Sequence, residues 1–387
     1  GGQIHYLNPR RLELNFKATQ QAVAPLAMPA ELALVARALA EAKGQTLPAG
    51  VAELAGNRTP EAWHKDVAQL LADQPATVLV GAIADAHPAG ATLRTLAALI
   101  AELAGARYGQ IPEAANSVGG WLAGAVPHRQ AGGAAENQAG LDARAMLEQP
   151  RRGYVLYNVE PEFDCWDPVA AAAAMDAAEF VLALTPYATE RMKAYADILL
   201  PVGAFSETAG TFVNLEGRWQ SFGGVAAPLG AARPGWRVLR VMGTLLGFPG
   251  FEQETVEEIF NEVRPLVGEF TPAKAAAPTG KLPLATAGSL YRAGGVPLYA
   301  GDAIVRRARA LQRTSHARPA ALYLSSADAN TLGLADGDQA VVRQVSEATL
   351  TVVIDDSIPT GTVWIPAALS GSAALGPMFG EVTVARA

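Results

Sequence analysis

The chain has 387 residues, half of them hydrophobic, few aromatics and a formal charge of −7. That length exceeds one ordinary domain, and the acidic balance lacks the basic footprint of a nucleic-acid binder, so nucleic acid is excluded as a partner. One cysteine, Cys165, excludes disulfides and any thiolate-held cluster or zinc within the chain, and it fits a reducing compartment.

The opening "GGQIHYLNPRR" has neither the basic nor the apolar region of a targeting signal, and it reads as cut from a longer polypeptide. "QIHYL" is a short strand, and Pro29 opens an amphipathic helix with Leu32, Val35 and Leu39 on one face. Residues 76–90 read as a buried strand and a turn, and 91–106 as a helix closed by Gly105. The most apolar region, 78–106, is interrupted by Asp85, His87, Pro88, Arg94 and Glu102, so no membrane span is expected. "RQAGGAAENQAG" (129–140) reads as a mobile loop, "GYVLYNV" as a strand, and Asp167-Pro168 as the cap and first turn of the helix "VAAAAAMDAA". "EFVLALT" and "ADILLP" are further apolar strands, and strands alternating with helices predict parallel, doubly wound sheets.

"TFVN" and "RWQSF" predict a hairpin turning through Leu215-Glu216-Gly217, with Gly217 left-handed. Residues 232–247 predict a helix with a stripe of Val238, Met242 and Leu245. The Pro-, Ala-, Gly- and Thr-rich 271–289 has no periodicity and reads as a linker, followed by a helix over 301–314. "ALYLS", "QAVVRQV", "ATLTVVID" and "GTVWIPA", divided by strong turn signals, predict a small barrel. The expected organisation is an α/β remnant over 1–60, an α/β sheet domain over 61–200, a hairpin and helical segment over 201–270, a linker over 271–300, and a helix with a β-barrel over 301–387.

Several stretches carry a resemblance: "ANSVGGWLAGAVPH", "YVLYNVEPEFDCWDP", "YADILLPVGAFSETAGTFVNLEGRWQSF", "ARPGWRVLRVMG" and "LGLADGDQAVV". In content and order they resemble the molybdopterin oxidoreductase superfamily. Within it, "NVEPEFDC" and "YAGDAIVRRARALQRT" are most similar to the branch formed by the large iron-sulfur subunit, the G subunit, of bacterial NADH:quinone oxidoreductase, respiratory complex I. The resemblance implies doubly wound sheet domains of the formate dehydrogenase/DMSO reductase type and a C-terminal double-psi barrel. It also implies iron-sulfur clusters in an N-terminal region that this stretch lacks, peripheral-arm subunits as partners, and a place on the cytoplasmic side of the inner membrane without membrane insertion.

Against that pattern the sequence departs at two places. Leu122 stands where cofactor-binding relatives carry an Asp, and Thr185 where a strand in them often ends in Asp. No Cys or Ser set suited to holding molybdenum is evident. Asn116, Gly119, Glu207, Asn214 and Arg218 are the candidates for a vestigial pocket, with no cofactor expected and no catalytic or metal residue. The expectation is a non-catalytic scaffold portion of the iron-sulfur subunit. The alternatives are a catalytic domain of a molybdopterin-dependent enzyme such as a formate dehydrogenase, or a free-standing α/β module for a small nucleotide.

The five histidines, His5, His64, His87, His128 and His316, lack metal spacing and read as surface or loop residues. Glu162 and Asp164 beside Cys165 suggest an acid-base group weakly, because Asp167 already has a capping role, and Cys165 reads as an inert thiol. If 301–314 is one helix, Arg306, Arg309 and Arg313 share a face, either solvated or docked on carboxylates of a partner or of the chain's own sheet domain.

Overall fold

The computed structural model describes residues 2–73, 75–268 and 289–387. They form two compact units, each interrupted in sequence: one holds Gly1–Glu113, Arg318–Ala387 and the described part of Pro272–Pro297, the other Ala114–Thr271 and Leu298–Ala317. This division differs from the sequence-based one. The expected 61–200 domain is cut at 113, and the segment before the barrel belongs to the unit that holds the hairpin.

In the first unit, the helix Met28–Lys43 is the centre of a helical cluster with Ala49–Ala55, Ala62–Asp73 and Gly90–Ala104. Leu34 and Leu39 meet Leu96 and Ile100 in a core that excludes water, each contributing about 1.5–3 kcal/mol by burial. Both long helices stop at a left-handed glycine, Gly44 (φ 62°) and Gly105 (φ 73°), as the sequence predicts for the second. Two parallel strand pairs accompany them, His5–Asn8 with Thr19–Ala22 and Thr77–Val80 with Arg107–Gln110.

The barrel of the first unit closes with six strands among the described residues, not the four that the sequence signals suggest. Ala321–Leu324, Gln339–Arg343, Glu347–Ile354 and Thr362–Trp364 are joined by Leu290–Ala293 and Gly380–Arg386. Leu290–Ala293 falls within the expected 271–300 linker; of that segment, 271–288 lies outside the described residues. Leu322, Leu324, Val342, Val352, Val363 and Ile365 fill the interior. Arg292 is fully buried with them, and its Nη1 donates to Gln344 Oε1 (3.0 Å), Pro377 O (3.0 Å) and Gly376 O (3.3 Å). Burial pushes its pKa down to about 10, which still leaves the guanidinium charged at neutral pH.

The second unit is built on the parallel sheet Gly153–Tyr157, Phe180–Thr185, Ile198–Pro201. Helices cover both of its faces. Pro168–Ala177 places Ala171, Ala174 and Met175 against Tyr154 and Val181, and Gly235–Leu245 places Val238 and Met242 against Leu182 and Leu184. Asp167 Oδ1 accepts the Val169 and Ala170 amides at 3.0 Å each, with Pro168 in the first turn, so the capping role read from the sequence is observed. Outside the barrel, the parallel strands of the described residues lie in three separate small sheets of two, two and three strands.

Residues 129–140 are more ordered than a free loop. The Gln130 amide donates to Ala134 O, that of Glu136 to His128 O and that of Gly140 to Pro127 O, folding the stretch back on itself. Likewise, 301–314 is not one helix: Ala303–Arg307 is a single turn, Ala308 is extended (ψ 93°), and Leu311–Arg313 forms a separate turn. Gln312 Nε2 donates to Tyr299 O and Val305 O (both 2.8 Å), filling acceptors that a continuous helix would use. The shared face of Arg306, Arg309 and Arg313 therefore does not form.

The hairpin Gly210–Val213/Trp219–Phe222 is antiparallel and turns where the sequence places it. Gly217 has φ 76°, and its amide donates to Asn214 O (2.9 Å). Gly217→Val forces a β-branched residue into that left-handed conformation and is expected to destabilise the chain by about 1–3 kcal/mol. Thermal or denaturant melting checks this, and a melt superimposing on that of the parent contradicts the turn.

Candidate functional site

The five candidate residues lie in and around the hairpin, and three of their acceptor oxygens, Asn116 Oδ1, Asn214 Oδ1 and Glu207 Oε2, are engaged by the chain's own backbone. Asn116 precedes the short helix Ser117–Leu122, and its Oδ1 accepts the Val213 amide at 2.8 Å, tying that helix to the hairpin strand. Gly119 makes this possible. A Cβ there would lie 2.0 Å from Asn116 Oδ1, so the glycine is required by close approach of a side chain within the fold. Asn214 Oδ1 accepts the Glu216 (3.0 Å) and Arg218 (2.9 Å) amides, the side-chain bonds of an Asx-type turn. Glu207 Oε2 accepts the Ala204 amide at 3.0 Å and packs under Gly203. Arg218 is exposed at the hairpin tip.

Leu122 and Thr185, the two positions at which a departure is expected from the sequence, are also internal. Leu122 is buried, and Thr185, at the end of its sheet strand, is buried with Oγ1 donating to Tyr187 O (2.8 Å) and accepting the Tyr187 amide (3.1 Å). A cleft of about 440 Å³ opens between the hairpin and the helix Val256–Val263, lined by Gly210, Thr211, Ser221, Phe222, Val256 and Phe260 among others. None of the five candidates lines it. Its two hydroxyls, Thr211 Oγ1 and Ser221 Oγ, bond each other at 2.9 Å. The five candidates and the cleft are therefore distinct features of the hairpin region.

Metal chemistry finds no better footing: no cluster of three His, Cys, Asp or Glu side chains capable of holding an ion occurs among the described residues. Two of the histidines read as surface or loop residues are buried: His64 lies in the helix Ala62–Asp73, and His87 in the turn before Gly90–Ala104. His64 is fully buried; its Nδ1 accepts the Glu61 amide (3.0 Å), so Nε2 carries the proton toward Glu31 Oε2 at 2.8 Å, and the ring stacks on Trp63. His87 is also buried, its Nδ1 accepting the Ala89 amide and its Nε2 donating to Pro25 O, and burial lowers its pKa from the ordinary value. Both are interior hydrogen-bonding residues.

The charged group that sequence reasoning only half located is Arg306. Its Nε and Nη2 donate to Glu160 Oε2 (3.1 and 2.9 Å) and its Nη1 to Asp164 Oδ1 (2.9 Å), while Arg307 Nη2 donates to Glu160 Oε1 at 2.6 Å. Of the readings left open, docking on the chain's own carboxylates is observed for Arg306, while Arg309 and Arg313 are exposed. Arg307 belongs to the same basic run, but Glu160 carried no sequence signal for this role, because it lies 146 and 147 residues from the two arginines.

Two domain descriptions match the chain: molybdopterin oxidoreductase over residues 60–244 and molydopterin dinucleotide binding domain over residues 293–383. The NADH-quinone oxidoreductase G subunit of Mycobacterium bovis is 30% identical over 344 residues, covering 79% of this chain and 40% of that relative. The G subunit of Streptomyces coelicolor is 30% identical, covering 87% of this chain and 43% of its own length. The chain belongs to the molybdopterin oxidoreductase superfamily, on the branch of the NADH-quinone oxidoreductase G subunits. It spans about two fifths of the length of these relatives. The fold of this superfamily member is similar to that of acetylene hydratase from Pelobacter acetylenicus, with a TM-score of 0.67 at 13% identity, covering all of this chain and 74% of the other.

In this molybdopterin oxidoreductase-type chain, then, glycines retained around the hairpin are explained by internal packing. Gly119→Ala drives Asn116 off the Val213 amide, and the lost bond and forced repacking are expected to cost about 1–3 kcal/mol. Hydrogen exchange at the Val213 amide reads the bond directly: it should accelerate selectively, and unchanged exchange with unchanged stability contradicts the assignment.

Proposed function

We propose that this chain is a non-catalytic scaffold portion of the iron-sulfur subunit of an NADH:quinone oxidoreductase. The parent complex passes electrons from NADH through iron-sulfur clusters to quinone, and the clusters are held by a part of that subunit other than this stretch. The chain itself binds no cofactor, and its partners are other subunits of the peripheral arm, on the cytoplasmic side of the inner membrane. No described helix is long and apolar enough to cross a membrane. The finer barrel description, double-psi, belongs to the same reading and is supported by two parallel pairs within the closed barrel, Leu290–Ala293 with Thr362–Trp364 and Ala321–Leu324 with Glu347–Ile354.

The observation that carries the reading is the conjunction of G-subunit relatives across four fifths of the chain with candidate polar atoms already bonded inside it. A scaffold requires shape, stability and partner-facing surface, and hydrogen bonds closed within the chain contribute to the stability. Cys165 is the sole thiol, and burial foremost, followed by the negative charges of Asp164, Glu162 and Asp167, pushes its pKa up to about 11. A protonated, packed thiol is a poor ligand for a redox metal.

Affinity capture with the tagged chain, in cells making the other complex I subunits, tests the reading together with turnover assays on the purified chain. Peripheral-arm subunits are expected in the eluate, and neither NADH nor formate oxidation is expected from the chain alone. Cofactor-dependent formate turnover by the chain alone overturns the scaffold role and establishes the catalytic alternative.

A further inference from the structure

Leu298–Ala317 is entered from residues of the first unit and left into that unit again, yet it belongs to the second. It is folded on itself: Asp302 Oδ1 accepts the Ile304 and Val305 amides, Arg306 Nη1 donates to Ala300 O, and Gln312 reaches back to Tyr299 and Val305. Its attachment to 160–164 and 187 is strongly ionic. Arg306 bridges Glu160 and Asp164 and lies over Phe163, while Arg307 takes the second oxygen of Glu160 and lies over Tyr187 at 4.5 Å.

What lies beneath is the four-residue helix Pro161–Asp164, too short to persist alone. Asp164 Oδ2 caps it by accepting the Glu160 amide at 2.7 Å, so one carboxylate both closes the turn and faces the guanidinium. The Glu160 side chain is 2% exposed and that of Arg306 10%, which leaves little water to replace a lost partner. Without Arg306, Asp164 loses its cation and the buried Glu160 keeps only Arg307, so two like charges across the turn are less compensated, an unfavourable state relieved by opening the turn. Cys165 is the residue that ends that turn, its amide donating to Pro161 O, and its side chain packs against the cluster of Leu147, Tyr154 and Met175.

We propose that Leu298–Ala317 is a releasable clasp, held by Arg306 and Arg307 on Glu160 and Asp164, that keeps the Pro161–Asp164 turn closed and the Cys165 side chain shielded. Release of the clasp exposes the thiol without global unfolding. The shielding is a conformational device, independent of whether the chain acts as a scaffold or as a catalytic domain.

Cys165 is the only thiol, so reaction with 5,5′-dithiobis(2-nitrobenzoate), in which the thiolate forms a mixed disulfide and expels one thionitrobenzoate, is a single-site readout. It is measured on the full chain under native conditions for the parent, Arg306→Met, Arg306→Lys and Leu184→Ala, the last lowering stability from the core cluster of Leu182, Val202, Val238 and Met242. Arg306→Met should label on the order of tenfold faster or more, with Arg306→Lys between it and the parent. Leu184→Ala at a matched loss of Tm should stay within about twofold of the parent. Hydrogen exchange should accelerate over 298–317 and 160–166 in the arginine variants and not throughout the sheet. If Arg306→Met does not fold, Arg306→Lys and Arg307→Met carry the same comparison. Unchanged labelling in the arginine variants, or equal acceleration in Leu184→Ala, overturns the clasp.

Discussion

Asn116 Oδ1 accepts the Val213 amide at 2.8 Å, and that bond governs what the hairpin region can offer to anything outside the chain. A half-buried acceptor already paired within the fold turns to a ligand only by giving up the amide it holds. Around it the same condition recurs: Glu207 holds the Ala204 amide, Asn214 holds the turn, and Thr185 closes on Tyr187. The residue types of a polar pocket are present, but their geometry serves the backbone. Gly119 belongs to the same bond, since any side chain at that position would displace the asparagine.

Buried charge plays a different part. Arg306 with Glu160 and Asp164 contributes less net stability than its short distances suggest, because desolvating three ions offsets most of their attraction. Its consequence is positional: a segment adjacent in sequence to the barrel is held by the other unit. Arg292 makes the same point inside the barrel, where a guanidinium with no water around it fixes the carbonyls of Gly376 and Pro377 and the amide side chain of Gln344. Losing either cation would be costly chiefly for the groups left behind.

What could be read in advance follows from the range of the interaction. Asp167-Pro168, Gly105 and Gly217 act on their own neighbours through capping or backbone sign, and the structure places a cap, a helix stop and a turn at these positions. The superfamily and its branch were legible in the same way, from contiguous stretches such as the one spanning the hairpin. Non-local facts were not. Leu290–Ala293 is a strand only because Thr362–Trp364 and Gly380–Arg386 flank it, and a Pro-, Gly-rich lead-in concealed it. His64 looked like a solvent residue because its partner, Glu31, is 33 positions away. The basic run at 301–314 suggested one helix, yet two consecutive arginines drawn to a single buried carboxylate are accommodated by a single turn followed by extended backbone. The candidate residues gather at one hairpin, but periodicity and spacing carry no information on whether a side chain faces a ligand or an amide of its own chain.

The most direct measurement is of metal and pterin in the chain purified from cells that make the molybdenum cofactor. Molybdenum and tungsten are quantified by mass spectrometry, and pterin by the fluorescence of its oxidation products. Because the acceptors near the hairpin are engaged internally, the account predicts both far below one per chain. Near-stoichiometric metal together with pterin would contradict it, and would mean that Asn116, Glu207 and Asn214 exchange their backbone partners for a cofactor.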